Sequence, residues 1–194
     1  MTDKIILAST SPYRKQLLAK LDFAFSTCSP NIDEAHRQHE APQDLVIRLA
    51  KEKALAGAAQ FKEGLVIGSD QVAVIGGNII GKPLNHENAI KQLMACSGKV
   101  ITFYTGLALY NISTQHSQSV CETFNVHFKT LNLKQVESYL TREQPYYCAG
   151  SFKCEGLGIA LFERLEGKDP NTLVGLPLIT LTEMLANQGF DVLA

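Results

Sequence analysis

Five ionisable residues, Arg14, Glu34, Lys53, Asp70 and Lys82, have types and spacings that point to chemistry. Arg14 precedes Leu17 and Leu18 by three and four residues on an expected helix, so it faces the core side of that helix rather than water. Lys53 falls in the middle of the apolar face set by Val46, Leu49, Ala50 and Ala56, while Arg48, Lys51 and Glu52 fall outside it. Asp70 follows Val66-Ile67-Gly68-Ser69, inside or at the end of an apolar strand, where a carboxylate is costly unless it is paired or bound to metal. A two-residue Gly76-Gly77 turn pairs Ile75 with Asn78 and sets Gln71 opposite Lys82, which would bring Lys82 beside Asp70. Glu34 follows Asp33 in a polar loop, after the apolar segment Phe23–Phe25.

An inward charge needs a partner, because an unpaired buried ion costs several kcal/mol. Three inward cations suit a polyphosphate. Two carboxylates suit Mg²⁺ or Mn²⁺, which bind through one or two carboxylates plus substrate phosphates. The stretch Ser9-Thr10-Ser11-Pro12 adds hydroxyls at a helix N-terminus, where unpaired N–H groups favour anions. Together these describe a phosphate-transfer or phosphoanhydride-hydrolysis site. Plainer readings fit the same residues one at a time. Arg14 pairs with a carboxylate on an ordinary capped helix, Lys53 covers the core with its head in water, Asp70 forms a structural Asp–Lys pair, and Asp33-Glu34 is solvated. His36 and His39, three apart in a polar loop, read as surface residues. The chain contains no GxxxxGK[ST], GxSxG, HExxH or kinase signature.

The elements that must position these residues alternate irregularly. Ile5-Ile6-Leu7 reads as a buried strand, with Ser11 capping a helix from Pro12 to near Leu21-Asp22. A second helix is expected from Pro42 to about Gln60 and a long strand over Leu65–Ile75, returning through Gly76-Gly77 to Ile79-Ile80. Asn85 caps a third helix to about Cys96, with Ala89, Ile90, Leu93 and Met94 inward. Strands follow at 100–110 and 120–130, joined by a polar turn over 111–118. Asn132 and Gln135 form a capping box for a helix carrying Val136, Tyr139 and Leu140. A glycine-rich loop over 149–158, a strand over 158–166 and a last helix after Gly175-Leu176-Pro177, with Leu178, Ile179, Leu181 and Leu185, complete the chain. This is a mixed α/β pattern without the repeating βαβ order of a simple dinucleotide-binding fold.

Composition narrows the function classes. The 194 residues suffice for one domain or two lobes around one cleft. A net charge of −1 with scattered cations excludes the global basic field of a nucleic-acid binder. Five cysteines, an odd number with no CxxC, suit buried thiols in a reducing compartment. No apolar run approaches the roughly 20 residues of a membrane span, and no signal-peptide pattern is present, so the cytoplasm is expected.

The same residues carry a family likeness. The stretches Leu7-Ala8-Ser9-Thr10-Ser11-Pro12-Tyr13-Arg14, Ala50-Lys51-Glu52-Lys53-Ala54, Gly68-Ser69-Asp70-Gln71, Gly81-Lys82-Pro83 and Val174-Gly175-Leu176-Pro177 closely resemble the Maf family of nucleotide pyrophosphatases. The match runs in order from about residue 4 to about residue 185. The resemblance implies an α/β, Maf/Ham-like two-lobed fold, with an elongated mixed β-sheet flanked by helices and a cleft between lobes, as one domain over residues 1–194. It implies a divalent metal cation (Mg²⁺ or Mn²⁺), often a homodimer, and hydrolysis of a nucleoside triphosphate to the monophosphate and pyrophosphate. Position by position, Asp70 matches the family's catalytic carboxylate and proton acceptor, and Glu34 a carboxylate needed for catalysis. Both are expected as catalytic residues and metal ligands. Ser9, Arg14, Lys53 and Lys82 match the triphosphate-binding positions.

Three further positions bear on the base. The branch of the family that prefers dTTP and UTP has Arg, Thr and Gln where this chain has Tyr13, Gln71 and Glu155. The set here is similar to the branch acting on 7-methyl-GTP, as are Phe103–Leu109 and Gly150–Gly156, although that branch often has Trp in place of Tyr13. N7-methylation gives guanine a positive charge. An aromatic ring at position 13 can stack on it, and the Glu155 carboxylate can accept from its Watson–Crick edge. The expected partner is a small-molecule nucleotide, with no nucleic acid and no membrane. Alternatives are a dTTP/UTP pyrophosphatase of the same family and a nucleotide-binding cell-division regulator with little turnover. A pure binding module needs no activated water, so the presence of both Asp70 and Lys82 favours the enzyme.

Overall fold

The computed structural model describes residues 4–194; residues 1–3 of the expected domain lie outside the described residues. In chain order the elements are β1 (Ile5–Ala8), α1 (Pro12–Ala19), β2 (Phe25–Cys28), α2 (Pro42–Ala58), β3 (Leu65–Ile75), β4 (Asn78–Ile80), α3 (His86–Cys96), β5 (Val100–Asn111), β6 (His116–Phe128), α4 (Leu133–Glu143), β7 (Phe162–Gly167), α5 (Pro170–Val174) and α6 (Leu178–Ala186). Two 3-10 turns, Ala149–Ser151 and Leu157–Leu161, precede β7. The seven strands form a mixed sheet in the order β2-β1-β3-β5-β6-β7, with β4 paired to β3. Helices flank it, so the fold is α/β. The chain divides into two compact units. The first holds residues up to Gln71, Thr105–Glu122 and Asp169–Ala194; the second holds Val72–Tyr104 and Thr123–Lys168.

In the first unit, β1 pairs parallel with both β2 and β3. All four of its residues are buried, as expected for a parallel strand covered on both faces. Ile5, Leu7, Leu18, Leu65, Ile67, Leu107 and Leu109 form its core, closed by Leu176, Leu181 and Leu185 from the C-terminal segment. Ser11 caps α1 by accepting from the Arg14 N–H at 3.4 Å, and Pro12 occupies the first turn.

In the second unit the hairpin has the expected register, with Ile75 opposite Asn78 and both turn glycines at positive φ. Asn85 caps α3, and Asn132 with Gln135 closes the capping box of α4. Phe152 packs edge-on against Phe103, Phe128 and Phe162, with ring centroids 4.8 to 5.5 Å apart.

Several expectations need correction. The strand expected from residue 158 begins at Phe162 instead. The apolar run before it coils into a 3-10 turn because the chain folds back so tightly that a Cβ on Gly158 would stand 2.2 Å from the Lys153 carbonyl oxygen. The polar segment after β5 turns only over residues 112–115, and β6 already starts at His116; polar residues serve well in a strand end open to water. On α2, Ala54 is buried and Ala56 only half-buried; on α3, Cys96 is buried while Met94 is exposed. Ile179 is 42% exposed. The helix α5 was not expected, since five residues are too short to show a period.

Candidate active site

The centre of the first unit's polar site is Lys53. It lies on the inner face of α2, which rests directly on the sheet. A Cβ on Gly68 of β3 would stand 2.1 Å from the Ala50 carbonyl oxygen, and one on Gly106 of β5 would stand 2.0 Å from that of Val46. The Lys53 stem therefore runs through a dry layer, and the residue is 5% exposed. Its Nζ donates to Asp70 Oδ1 at 2.7 Å and pairs with Glu34 Oε1 at 2.8 Å. Asp70 is buried in β3, whereas Glu34 lies on an exposed loop. The inward position of Lys53 on α2 and the buried Asp70 are thus as the sequence predicts, but the ammonium does not snorkel to water.

The cation on Asp70 is Lys53, and the β3–β4 ladder ends at Ala73 opposite Ile80, two residues before Lys82. The hairpin register alone did not reveal that α2 delivers a cation from 17 positions earlier. Lys82 is exposed in the second unit.

Glu34 is not left to a free loop. Arg48 grips Glu40 with two hydrogen bonds, Nε to Oε1 at 2.6 Å and Nη2 to Oε2 at 2.8 Å. The same guanidinium donates to the Ala35 carbonyl at 3.1 Å and to Glu52 at 3.1 Å, which fastens the residues after Glu34 to α2. The Arg48 hydrogen bonds hold the Glu40 carboxyl down at a pKa of about 2. Sequence reasoning missed this clamp. Its only local signal is the Arg48–Glu52 spacing of four on a helix.

Arg14 is half-buried, and its Nε donates to the Gly175 carbonyl at 2.9 Å. The partner of this inward charge within the protein is a carbonyl, so the side chain keeps its net charge for something else. Its terminal nitrogens make no hydrogen bond among the described residues, leaving the guanidinium fork for an anion. Burial lowers the Arg14 pKa, opposed by the charges of Asp70 and then Glu34. Ser69 Oγ lies 2.9 Å from the carbonyls of both Gly175 and Gly106, tying the Gly175 loop to β3 and β5. Buried Ser9 accepts from the Ser11 N–H at 3.1 Å, so its hydroxyl proton is available to a ligand. Tyr13 is half-buried in the same turn.

Gln71 follows Asp70 and is held by its amide nitrogen. Nε2 donates to Thr105 Oγ1 at 2.8 Å and to the Thr172 carbonyl at 2.7 Å, and Thr105 Oγ1 donates to that carbonyl at 3.1 Å. Both amide hydrogens are thereby engaged, and the acceptor Oε1 is the end with capacity to spare. Glu155 is exposed in the second unit, where it accepts from Cys154 Sγ at 3.3 Å. Burial and the neighbouring Glu155 carboxylate push the Cys154 thiol up to about 12.

One further residue escaped the sequence. Asp169 is wholly buried between the start of α5 and the start of α6. Oδ1 accepts from the Asn171 N–H at 2.8 Å and its Nδ2 at 2.7 Å, and Oδ2 accepts from the Ile179 N–H at 2.9 Å. The dipeptide Asp169-Pro170 carried the signal, an N-cap followed by proline at the first helical position.

The carboxylate oxygens of Asp70 and Glu34 both face one shared ammonium, so two negative groups against one positive leave a net negative charge there. That chemistry fits Mg²⁺ or Mn²⁺. Among the described residues no group of three or more His, Cys, Asp or Glu side chains is placed to cage a metal, so the ion would take its other ligands from water and phosphate oxygens. Among the described residues no helix is long and apolar enough to cross a membrane.

A family model described as Maf-like protein matches residues 4–188. Curated relatives resemble the chain over nearly its full length. The 7-methyl-GTP pyrophosphatase of Vibrio parahaemolyticus is 60% identical over 190 residues, with 98% of each chain covered. The 7-methyl-GTP pyrophosphatase of Aliivibrio fischeri is 55% identical over 193 residues, with 100% of each covered. That of Vibrio vulnificus is 60% identical over 191 residues, covering 98% of this chain and 97% of its own. Among solved structures, the Staphylococcus aureus Ham1 protein aligns over 64% of this chain and 71% of its own, with a TM-score of 0.45 and 14% identity.

Proposed function

Because the chain belongs to the Maf family, we propose that it hydrolyses 7-methyl-GTP to 7-methyl-GMP and pyrophosphate, removing modified nucleotides. The observation that carries this reading is the 55–60% identity, end to end, to enzymes that bear this activity in their names. The Lys53–Asp70–Glu34 contact supports it physically, since it joins three of the residues expected on chemical grounds.

In the proposed reaction a water attacks the α-phosphorus. Its proton passes to the Asp70 carboxylate, the bond from the α-phosphorus to the α–β bridging oxygen breaks, and pyrophosphate leaves with that oxygen. Oδ1 of Asp70 is engaged by Lys53, while Oδ2 makes no hydrogen bond among the described residues and is the oxygen suited to take the proton. Lys53, Arg14 and Ser9 hold phosphate oxygens, and Lys82 adds a fourth such contact. A bound Mg²⁺ or Mn²⁺ held by Asp70 and Glu34 would offset charge on the phosphates. Tyr13, Gln71 and Glu155 read the base. We assign the protein to the cytoplasm, which suits five thiols, and to a homodimer, which sedimentation would test.

Turnover of a nucleotide panel with Mg²⁺ or Mn²⁺, following pyrophosphate and monophosphate together, tests the reading. Release of both products fastest from 7-methyl-GTP, abolished by a chelator and restored by metal, is expected. Fastest turnover of dTTP or UTP would reassign the substrate, and tight binding without turnover of any nucleotide would make the protein a binder.

A further inference from the structure

The geometry points to Asp169 as a positioning residue for substrate binding, acting through the loop over residues 170–178. This inference rests on the assignment of Arg14 to the triphosphate. The buried carboxylate ties down both ends of the loop, since Oδ1 caps α5 at Asn171 and Oδ2 takes the Ile179 N–H in the first turn of α6. Pro177, at the N-cap of α6, offers no side-chain cap, so Asp169 supplies from a distance the acceptor that this helix start lacks. Both helix N-termini favour the negative charge.

Between these anchors the loop presents two carbonyls to the site. Gly175 O receives Arg14 Nε at 2.9 Å, and Thr172 O receives Gln71 Nε2 at 2.7 Å. Gly175 sits at φ +112°, a conformation that only glycine adopts without strain, and Ser69 Oγ meets the same carbonyl. The direction of the Arg14 fork thus depends on a carbonyl whose place is fixed by how α5 and α6 are held together. Asp169 touches neither the expected phosphates nor the reacting atoms. Its contribution passes through Arg14, because Gln71 has a second anchor outside the loop at Thr105 Oγ1.

The test is a double-mutant cycle on KM for 7-methyl-GTP. Asp169→Asn is nearly isosteric but turns an amide toward N–H donors, breaking one tie. It is expected to raise KM about tenfold with kcat within about twofold, the size of one lost charged hydrogen bond. In an Arg14→Ala background the same change is expected to raise KM by less than about twofold, because the residue it positions is gone. An equal rise in both backgrounds, or an unchanged KM in the parent, would overturn the inference. Arg14→Ala alone leaving KM unchanged would instead remove the triphosphate assignment on which the inference stands. Should Asp169→Asn not accumulate as folded protein, Asp169→Ser retains an N-cap for α5 while losing the bond to Ile179, and the same cycle is read on it.

Discussion

Replacing Lys53 with methionine removes the ammonium and keeps the stem. The cost depends on how much water each carboxylate can reach. The Lys53 and Asp70 side chains are 7% and 11% exposed, while Glu34 is 61% exposed. Removing one member of a buried pair costs about 3–5 kcal/mol, and an exposed pair contributes about 0–1 kcal/mol. Lys53→Met is therefore expected to lose about 3 kcal/mol, nearly all from stranding Asp70. At about 2–4 °C per kcal/mol for a chain of this size, the melting temperature falls by about 6–12 °C. Asp70→Asn leaves Lys53 paired with Glu34 and costs about 1 kcal/mol. The double variant removes both charges and is expected to lose no more than about 1 kcal/mol, so the coupling between positions 53 and 70 is about 3–4 kcal/mol. The coupling between 53 and 34 stays below about 1 kcal/mol. Urea unfolding followed by far-ultraviolet circular dichroism measures all of these, a suitable probe because the chain has no tryptophan. A 53–70 coupling below about 0.5 kcal/mol, or one smaller than the 53–34 coupling, would refute the view that Asp70 is the principal partner of a dry ammonium.

Asp70→Asn should lower turnover by at least about 100-fold while calorimetric binding of 7-methyl-GTP persists; an Asn variant near the parent rate would make Asp70 purely structural. Glu155→Gln removes a negative charge from the proposed base contact, so kcat/KM should fall several-fold more for 7-methyl-GTP than for GTP, and equal losses would count against that contact. Glu40 has its folded pKa depressed from 4.5 to about 2 by Arg48, so the clamp stabilises the fold above pH 4.5 and its contribution disappears as the pH falls toward 2. Chemical denaturation should accordingly find Glu40→Gln less stable than the parent near pH 7, with the gap closing on acidification. A gap independent of pH would contradict the ionic clamp.

Much of this site was legible because local rules and tertiary demands coincide in it. The run Leu65–Ile75 is bounded by Gly64 and Gly76-Gly77, and the strand has those same bounds. Lys53 stood out because helical periodicity alone places it among apolar neighbours, and it is indeed buried. The features that stayed hidden depend on contacts between distant segments. Asp70 finds Lys53 because α2 packs against β3, which no hairpin register reveals. The Gly175 carbonyl, Ser69 and Thr105 act through a backbone atom or small hydroxyls, which leave no charge pattern, and the Asp169 carboxylate reaches a backbone N–H ten residues further on. The 3-10 turn over Leu157–Leu161 reads as strand by propensity, and only the close return toward Lys153 decides otherwise.

Gly68 and Gly106 carry a warning for anyone engineering this protein. Replacing glycine by alanine in a regular element ordinarily adds about 0.5–1 kcal/mol, and such exchanges are a standard route to thermostable variants. At these two positions a methyl group would meet the α2 backbone at 2.1 and 2.0 Å, and main chain cannot step aside as a flexible side chain can. The helix would have to lift from the sheet and take the Lys53 ammonium with it. A thermostability library should hold both positions fixed, because an alanine that let the protein fold there would still displace the charge from which the site is built.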